Sequence, residues 1–363
     1  MDKQKVTILY DAVEDQHQAE ARERGERPKP LVSEAVEQAL IGRGHEVTLM
    51  AASPDPRTLA RQIGADTAPI VFNLCEGLNG VSRHEQNVAA LLELFARRYT
   101  GAPPIGLTLA QDKALAKKIL QFHGIRTPKF MVTQAGALEH ADHLDFPLIV
   151  KPSTEDASIG IDEGAVVHDL KELMERISYV QTSFGAPALV EEFIDGRELY
   201  VSVIEEGGRV EALPILEWDF SNLPRGVPRI ASAEAKWDED NKVYRKSPEL
   251  FPDDIPELLA KAIQEAAVEA FKTLKLRDYG RIDMRMRQRS KKGRKRAGSS
   301  GNGRGDNTER QALEEWEFYV IEANPNPYLA SDAELALAAG QRGLRHPDLI
   351  EMILGRAATR RLS

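Results

Sequence analysis

Two short segments near the C-terminal end carry polar residues at the two-residue period of a β-strand. In GRIDMRM, Arg281, Asp283 and Arg285 share one face, and in FYVIEAN, Glu322 and Asn324 lie on a common face. Pairing the two strands as a hairpin would bring the two carboxylates and the carboxamide together. Such hard oxygen ligands suit Mg²⁺, whose remaining positions substrate phosphates can fill. The pattern predicts a magnesium site beside Arg281, or else an exposed strand face with ordinary salt bridges.

A lysine at the end of an apolar strand is a second candidate for contact with phosphate. The segment FPLIVKPSTEDASIGI, residues 146–161, reaches Lys151 and continues into a loop that contains Ser153, Ser158 and Gly160. Backbone amides in loops of small residues can approach a phosphate closely. The Walker A pattern GxxxxGK[ST] is absent, so the loop taken by itself is more typical of a solvated surface loop.

The segment LVEEFIDGRELYVSV has acidic residues next to apolar residues on both sides of a turn. Glu191 and Glu192 stand beside Phe193 and Ile194, and Glu198 follows a glycine-containing turn. A carboxylate in this position could accept hydrogen bonds from ribose hydroxyls while the neighbouring backbone contacts adenine. An amphipathic strand with a charged turn explains the same pattern equally well.

Apolar runs and amphipathic stretches alternate through the first hundred residues, at 6–10, 32–40, 46–50, 70–74 and 88–95. This alternation predicts a parallel sheet covered by helices. Further along, the sequence predicts mixed and antiparallel structure. We expect helices at 110–123 and 255–274, strands at 146–150 and 188–194, and a hairpin of 198–205 with 209–215.

Composition and charge limit the classes of function. The chain has 363 residues, 42% of them hydrophobic, which suits two or three packed domains. No apolar run approaches the roughly 20 residues that a bilayer crossing needs, and the first residues, MDKQKVTILYDA, do not suggest a signal peptide. The lone Cys75 excludes an internal disulfide. We therefore expect a cytoplasmic protein without a membrane segment.

Charge is distributed unevenly along the chain. The net charge of −9 disfavours nucleic acid as a partner. Residues 289–306, RSKKGRKRAGSSGNGRGD, carry seven Lys or Arg and one Asp, so this segment has a charge of +6 and the remainder has −15. Glycine, serine and like charges at this density predict a disordered insertion at about 288–312, with a polyanion contact as the alternative.

Five segments, taken in chain order, resemble the ATP-grasp enzymes, and most closely the D-alanine:D-alanine ligase-like carboxylate–amine ligases. They are the region of Lys113, then IVKP, EEFIDGRE, RIDMRM and IEANPNP, within a resemblance that covers roughly residues 5–355. The resemblance implies a three-domain architecture of α/β and α+β type. Its parts would be an N-terminal parallel α/β domain (1–105), a small central subdomain with a lid loop (106–188) and a C-terminal subdomain with the metal site (189–363).

The same resemblance assigns roles to individual residues. Lys113 and Lys151 would contact ATP phosphates, with Ser158 in the lid, and Lys236 would neutralise the transferred phosphate. The adenine region and ribose would be contacted by Glu191, Glu192, Phe193, Ile194 and Glu198. The ligands of Mg²⁺ or Mn²⁺ would be Asp283, Glu322 and Asn324, and Arg281 would stabilise the tetrahedral intermediate.

The implied reaction is amide formation through an acyl phosphate, because ATP converts the carboxylate into a species that an amine can attack. The substrate side departs from the D-alanine:D-alanine ligases, since Ala333 and Glu334 stand near the position of a Ser-Leu pair that holds a substrate carboxylate. Glu76, Arg83 and His84 are the candidates for substrate contact. We expect a homodimer that acts on small amino acids or peptides.

Two alternatives remain open. One is true D-alanine:D-alanine ligation for peptidoglycan precursors. The other is a non-catalytic nucleotide-binding regulatory or interaction protein that uses the basic segment to bind a polyanionic partner.

Overall fold

The computed structural model describes residues 2–11, 31–134, 137–141, 143–154, 160–223, 229–230, 247–289 and 306–361. Within these ranges the chain forms three β-sheets, of four, five and six strands, with helices packed on them. The predicted mixture of α/β and α+β structure is confirmed. No helix in the described ranges is both long and apolar enough to cross a membrane.

The first sheet is parallel, as predicted from the alternating pattern, with the strand order β2-β1-β3-β4. Its strands are β1 (Lys5–Asp11), β2 (Glu46–Ala52), β3 (Ile70–Asn73) and β4 (Arg98–Tyr99). The intervening helices are α1 (Val32–Gly42), α2 (Pro56–Ala65) and α3 (Glu85–Leu94), with a 3₁₀ turn at Ser82–His84. Helix α2 was not predicted, although Asp55 as N-cap, Pro56 at the first turn and the buried pair Leu59 and Ile63 are its signals.

Two consecutive helices follow the first sheet. They are α4 (Pro104–Gln111) and α5 (Lys113–Phe122), where a single helix over 110–123 was predicted. The break falls at Asp112, whose side chain accepts a hydrogen bond from the backbone N–H of Leu115 at 2.9 Å and so caps α5. Ala116 and Leu120 of α5 pack into the core of the six-stranded sheet.

The five-stranded sheet is antiparallel, with the order β6-β5-β9-β7-β8. Its strands are β5 (Phe130–Gln134), β6 (Ala137–Ala141), β7 (Leu148–Pro152), β8 (Val166–Val167) and β9 (Ala188–Glu192). Helix α6 (Leu170–Phe184) covers one face, where its buried residues pack on β7 and β9. The predicted domain limit at 188 falls inside this sheet, because β9 lies between β5 and β7.

The six-stranded sheet is also antiparallel and has the order β13-β12-β10-β14-β15, with β11 paired to β10. Its strands are β10 (Arg197–Glu206), β11 (Arg209–Ala212), β12 (Leu216–Trp218), β13 (Glu249–Leu250), β14 (Tyr279–Gln288) and β15 (Trp316–Asn324). The predicted hairpin is confirmed, and its turn places Gly207 and Gly208 at φ +56° and +83°, which glycine adopts without strain. Helix α7 (Glu257–Thr273) packs on the apolar face of the sheet.

The C-terminal helices join two of the sheets. Helix α9 (Glu334–Gln341) and helix α10 (His346–Ala358) share one core with β1 and α1 on one side and with Ile204 and Tyr279 on the other. Between β14 and β15 lies helix α8 (Asp306–Glu315). The predicted disordered insertion at 288–312 is therefore wrong at its C-terminal end, where residues 306–312 are helical, while 290–305 lie outside the described residues.

Candidate active site

A cleft of about 640 Å³, partly open to solvent, lies between the five-stranded and the six-stranded sheets. Strands β7 and β9 supply one wall, and strands β14 and β15 supply the other. Ile149, Met284 and Ile321 give the cleft an apolar floor, while charged groups enter from both walls. The charged lining residues are Lys151, Glu191, Glu192, Glu198, Asp283, Arg285 and Glu322. A largely apolar cleft with a few convergent charges is the usual form of a small-molecule site.

The register of β14 and β15 brings the predicted polar residues together. Asp283 is paired with Glu322, and Arg281 is paired with Asn324. A bulge follows at Ile321, which is the extra residue between Glu322 and the next paired residue of β15. The predicted pairing of the two strands is confirmed. The alternative of an exposed strand face is wrong, because Arg281 and Asp283 are each 8% exposed.

Arg281 is held from three sides. Its Nε and one terminal nitrogen donate to the two oxygens of Asp283 at 2.7 and 3.0 Å. Another terminal nitrogen lies 3.0 Å from Glu334 Oε1, and the guanidinium carbon stands 4.6 Å from the centre of the Tyr200 ring. Burial opposes the charge, but Asp283 and Glu334 outweigh it and raise the pKa of Arg281 further above its ordinary value. The guanidinium is therefore a fixed positive charge held against Asp283, which lines the cleft.

The donor set on this hairpin fits a hard divalent cation. Asp283 and Glu322 offer carboxylate oxygens, and Asn324 has a buried amide nitrogen without a hydrogen-bond partner. The amide oxygen of Asn324 would be the third donor of the set. Among the described side chains, no group of three or more His, Cys, Asp or Glu forms a metal cluster. Two carboxylates with an amide are still sufficient for Mg²⁺ when phosphates complete the shell.

Helix α5 presents two lysines to the cleft walls. Lys113 Nζ is 2.6 Å from Glu322 Oε1 on β15. Lys117, one turn later, is 2.7 Å from Glu191 Oε1 on β9 and donates to the carbonyl oxygen of Ile321 at 2.7 Å. Lys117 is not among the predicted site residues, although its spacing of four from Lys113 places both on one helix face.

The carboxylate of Glu191 is shared by two ammonium groups. Lys151 Nζ lies 2.8 Å from its second oxygen, opposite Lys117. Burial alone would raise the pKa of Glu191, but Lys117 and Lys151 outweigh burial and hold that pKa below its ordinary value. Burial lowers the pKa of Lys117 to about 8, because the charge of Glu191 opposes this effect only in part and the nearby Lys151 adds to it. The predicted adenine contact of Glu191 would therefore have to come from its backbone.

The other predicted nucleotide residues line the same cleft. Glu192 pairs with Arg287 at 2.9 Å, and Glu198 pairs with Arg285 at 2.5 Å. Phe193 and Ile194, which follow Glu192 in the chain, add apolar surface to the lining. The guanidinium carbon of Arg285 stands 5.7 Å from the centre of the Phe193 ring. Ser158 and Lys236 lie outside the described residues.

A second, smaller cavity lies where β3 ends and the chain leaves β15. Glu76, Asn73 and Cys75 line one side, and Tyr279 and Asn326 line the other. Of the other predicted substrate residues, Arg83 and His84 fall in the 3₁₀ turn and line neither cavity.

The two cavities follow one another along a single face of β14. Tyr279 lines the small cavity, Asp283 lines the cleft, and Arg281 comes between them on the same face. At about 3.3 Å per residue the four steps from Tyr279 to Asp283 span roughly 13 Å. Arg281 is therefore placed where a group in one cavity would meet a group in the other.

Comparison with known proteins assigns the chain to a family. A family model described as D-ala D-ala ligase C-terminus matches residues 113–294. The chain is 30% identical over 338 residues to a D-alanine–D-alanine ligase of Bordetella petrii, which covers 92% of this chain and 89% of the relative. It is also 30% identical over 339 residues to an uncharacterised protein of Sinorhizobium fredii, covering 90% and 87% of the two chains.

The fold has a close counterpart among solved structures. The crystal structure of D-alanine–D-alanine ligase from Bacillus anthracis complexed with ATP matches with a TM-score of 0.68 at 19% identity, covering 98% of this chain and 97% of that one. Family membership resolves the choice between an enzyme and an interaction protein. The chain belongs to the D-alanine–D-alanine ligase family and is an ATP-dependent carboxylate–amine ligase with the ATP-grasp fold.

Proposed function

We propose that this ligase uses ATP and Mg²⁺ to join the carboxylate of a small amino acid or peptide to an amine. The nucleotide occupies the cleft between the sheets, and the acyl donor occupies the small cavity. The observation that supports this most directly is the position of Arg281, between the two cavities on one face of β14. A donor carboxylate beside Arg281 would face the terminal phosphate of a nucleotide in the cleft.

The chain's own side chains supply positioning and charge. Lys113 and Lys151 would hold phosphate oxygens from the two walls, and Arg281 would stabilise the negative charge that develops on the donor. Lys236 would neutralise the transferred phosphate, and the lid with Ser158 would exclude water from the acyl phosphate. Phe193 and Ile194 would surround the adenine, with Glu192 and Glu198 toward its polar edge and the ribose.

Asp283, Glu322 and Asn324 would hold Mg²⁺. When bound there, the ion would neutralise phosphate charge and orient the phosphate oxygens. Replacing Asp283→Asn removes one anionic ligand, so the Mg²⁺ concentration for half-maximal ADP release should rise roughly tenfold. Asp254→Asn, on a carboxylate that pairs with Arg197 at the surface, is the control and should leave that concentration unchanged. Equal magnesium dependence of the two variants would contradict the ligand assignment.

The donor is proposed to carry an ammonium group. In the described lining of the small cavity the charged group is Glu76, and neither lysine nor arginine contributes. Burial raises the pKa of the neighbouring Tyr279, and the carboxylates of Asp278, Glu85 and Glu76 raise it further, in that order. A carboxylate in the lining favours an amino acid as the donor, with its cationic amine near Glu76 and its carboxylate toward Arg281.

The acceptor is the substrate for which D-alanine fits the site least well. The relatives of known name support D-alanine–D-alanine ligation as a second candidate. Glu334, however, stands near the position at which a Ser-Leu pair holds the second substrate's carboxylate in those ligases, so it would repel an acceptor that brings a carboxylate there. We therefore propose an acceptor without a carboxylate at this position. We also propose a cytoplasmic location, where ATP is supplied, and a homodimer, which sedimentation would test.

A product screen tests the proposal. ADP release is measured across D- and L-amino acids, dipeptides and simple amines, and the products are identified by mass spectrometry. We expect an amide product from an amino-acid donor. A product formed only from D-alanine would establish the second candidate. Nucleotide binding without turnover for every donor and acceptor pair would overturn the proposed classes of donor and acceptor.

A further inference from the structure

Lys117 lies where the two walls of the cleft meet. Its ammonium contacts the Glu191 carboxylate on β9 and the Ile321 carbonyl on β15, each at 2.7 Å. These strands belong to different sheets, and the side chain of Lys117 is 2% exposed. Lys117 does not line the cleft, whereas Glu191, Ile321 and Lys151 do. A ligand in the cleft would meet the partners of Lys117 rather than Lys117 itself.

The hydrogen bond from Lys117 to Ile321 lies at the β-bulge of β15. Ile321 is the bulged residue of β15, and its neighbour Glu322 pairs with Asp283 in the ladder. A bulge re-aims the side chains next to it. The bond from Lys117 therefore fixes the backbone that orients Glu322. Lys113, on the preceding turn of α5, binds the Glu322 carboxylate from the same direction at 2.6 Å.

The contact with Glu191 controls the charge that Lys151 can offer to a ligand. Two ammonium groups share one carboxylate, so the buried trio of Lys117, Lys151 and Glu191 keeps a net positive charge. If Lys117 were absent, Glu191 and Lys151 would form a neutral pair. A phosphate in the cleft would then compete with Glu191 for the Lys151 ammonium.

We propose that Lys117 is a positioning residue of the nucleotide site, which fastens the two walls together and keeps Lys151 available to a phosphate. The inference depends on the proposed function only in that the cleft must bind ATP. It assigns Lys117 an effect on phosphate binding and none on adenosine binding, because the Glu191 side chain that it contacts pairs with Lys151, the proposed phosphate ligand, whereas adenine would meet only the Glu191 backbone. A residue needed only for folding would affect both ligands.

Direct binding to the full-length protein tests this, with ATP and adenosine titrated separately by calorimetry. Lys117→Met should raise the Kd for ATP roughly tenfold or more, the range for loss of a charged hydrogen bond, with the Kd for adenosine unchanged. Lys118→Met is the matched control, because Lys118 is the adjacent, exposed lysine of α5, and should bind both ligands like the wild type. Adding Glu191→Gln to Lys117→Met should recover at least threefold of the lost affinity, since Lys151 is released again.

Several results would overturn the inference. These are wild-type ATP affinity in Lys117→Met, an equal loss for ATP and adenosine, or no recovery in the double variant. If circular dichroism shows that Lys117→Met does not fold, Lys117→Gln replaces it with the same comparisons. A wild-type protein that binds neither ligand would overturn the proposed function and this inference with it, whereas the other results concern Lys117 alone.

Discussion

Arg281 is fixed by a two-bond contact to Asp283, a third contact to Glu334 and the ring of Tyr200. A lysine in its place keeps the charge but cannot form the planar fork. Arg281→Lys should therefore lower kcat roughly 100-fold, the scale for losing one stabiliser of a developing anion. The Kd for ATP should change less than threefold, because the phosphate contacts come from other residues. Steady-state ADP release and an ATP titration measure the two quantities.

Arg342→Lys is the matched control for this change. Arg342 also contacts two carboxylates, Glu206 at 2.8 Å and Glu211 at 3.2 Å, but it does so on the surface and away from both cavities. Its kcat should stay within twofold of wild type. Wild-type kcat in Arg281→Lys would show that the fork at Arg281 has no part in the reaction.

Glu191 gives the protein a specific sensitivity to acid. Burial would raise its pKa, but Lys117 and Lys151 outweigh burial and hold it below the ordinary 4.5. The folded carboxyl therefore binds its proton less readily than the unfolded one. Its contribution to the free energy of unfolding is fully present above pH 4.5 and is lost as the pH falls through the lower folded value. Glu191→Gln should cost about 3 kcal/mol at pH 7, and the difference from wild type should shrink progressively in acid.

Urea unfolding between pH 3 and pH 7 measures this difference. Glu265→Gln is the control, because Glu265 is an exposed helical carboxylate 4.0 Å from Lys261 and should show a small difference at every pH. A Glu191→Gln difference that stays constant down to pH 3 would contradict the ion-pair explanation.

Helix α5 is the element that carries Lys113 and Lys117, which contact the cleft residues Glu322 and Glu191. Its first turn is capped by Asp112, which accepts from the Leu115 N–H at 2.9 Å. Asp112→Ala should lower the free energy of unfolding by about 1 kcal/mol. It should also raise the Kd for ATP severalfold, because fraying of the first turn displaces Lys113 from its place beside Glu322. Thermal unfolding and ATP titration measure the two effects.

A change at the N-cap of another helix is the control that distinguishes an effect on stability from an effect on ATP binding. Asp55 caps α2 through the Thr58 N–H at 3.0 Å, but α2 packs on the parallel sheet, away from the cleft. Asp55→Ala should lower the melting temperature and leave the Kd for ATP unchanged. If both variants weaken ATP binding equally, the effect at α5 is one of general stability.

The elements were predictable where a local period or a turn signal marked them. The two-residue period of Arg281 and Asp283 predicted β14 and its polar face, and the paired glycines predicted the turn between β10 and β11. The break at Asp112 was missed because the apolar period continues from α4 into α5. The helical end of the insertion was missed because charge and glycine content at 289–306 dominated the prediction for its neighbours.

At the scale of the whole molecule, the site depends on contacts between residues that are far apart in the sequence. Lys117 meets Glu191 and Ile321, and Arg281 meets Glu334, only because two sheets and the helices α5 and α9 converge. No local pattern encodes these pairs. Resemblance to a family indicated Lys113 and Lys151 by position, but the sharing of Glu191 between two lysines follows from packing alone.

The basic segment provides a test at this scale. The chain leaves β14 before this segment, and after it the chain forms helix α8 and then β15. At this end of the hairpin Gln288 pairs with Trp316, and the Arg289 N–H donates to the Glu315 carbonyl at 2.7 Å. Replacing 290–305 with a short Gly-Ser linker removes six Lys or Arg and no acidic residue, so the net charge changes from −9 to −15. Because the cleft charges come from the walls, the Kd for ATP should stay within twofold, whereas retention on a heparin column should fall. A second variant, in which a neutral Gly-Ser sequence of the same length replaces 290–305, distinguishes the effect of charge from the effect of segment length. A tenfold loss of ATP affinity in both variants would place the segment in the nucleotide site.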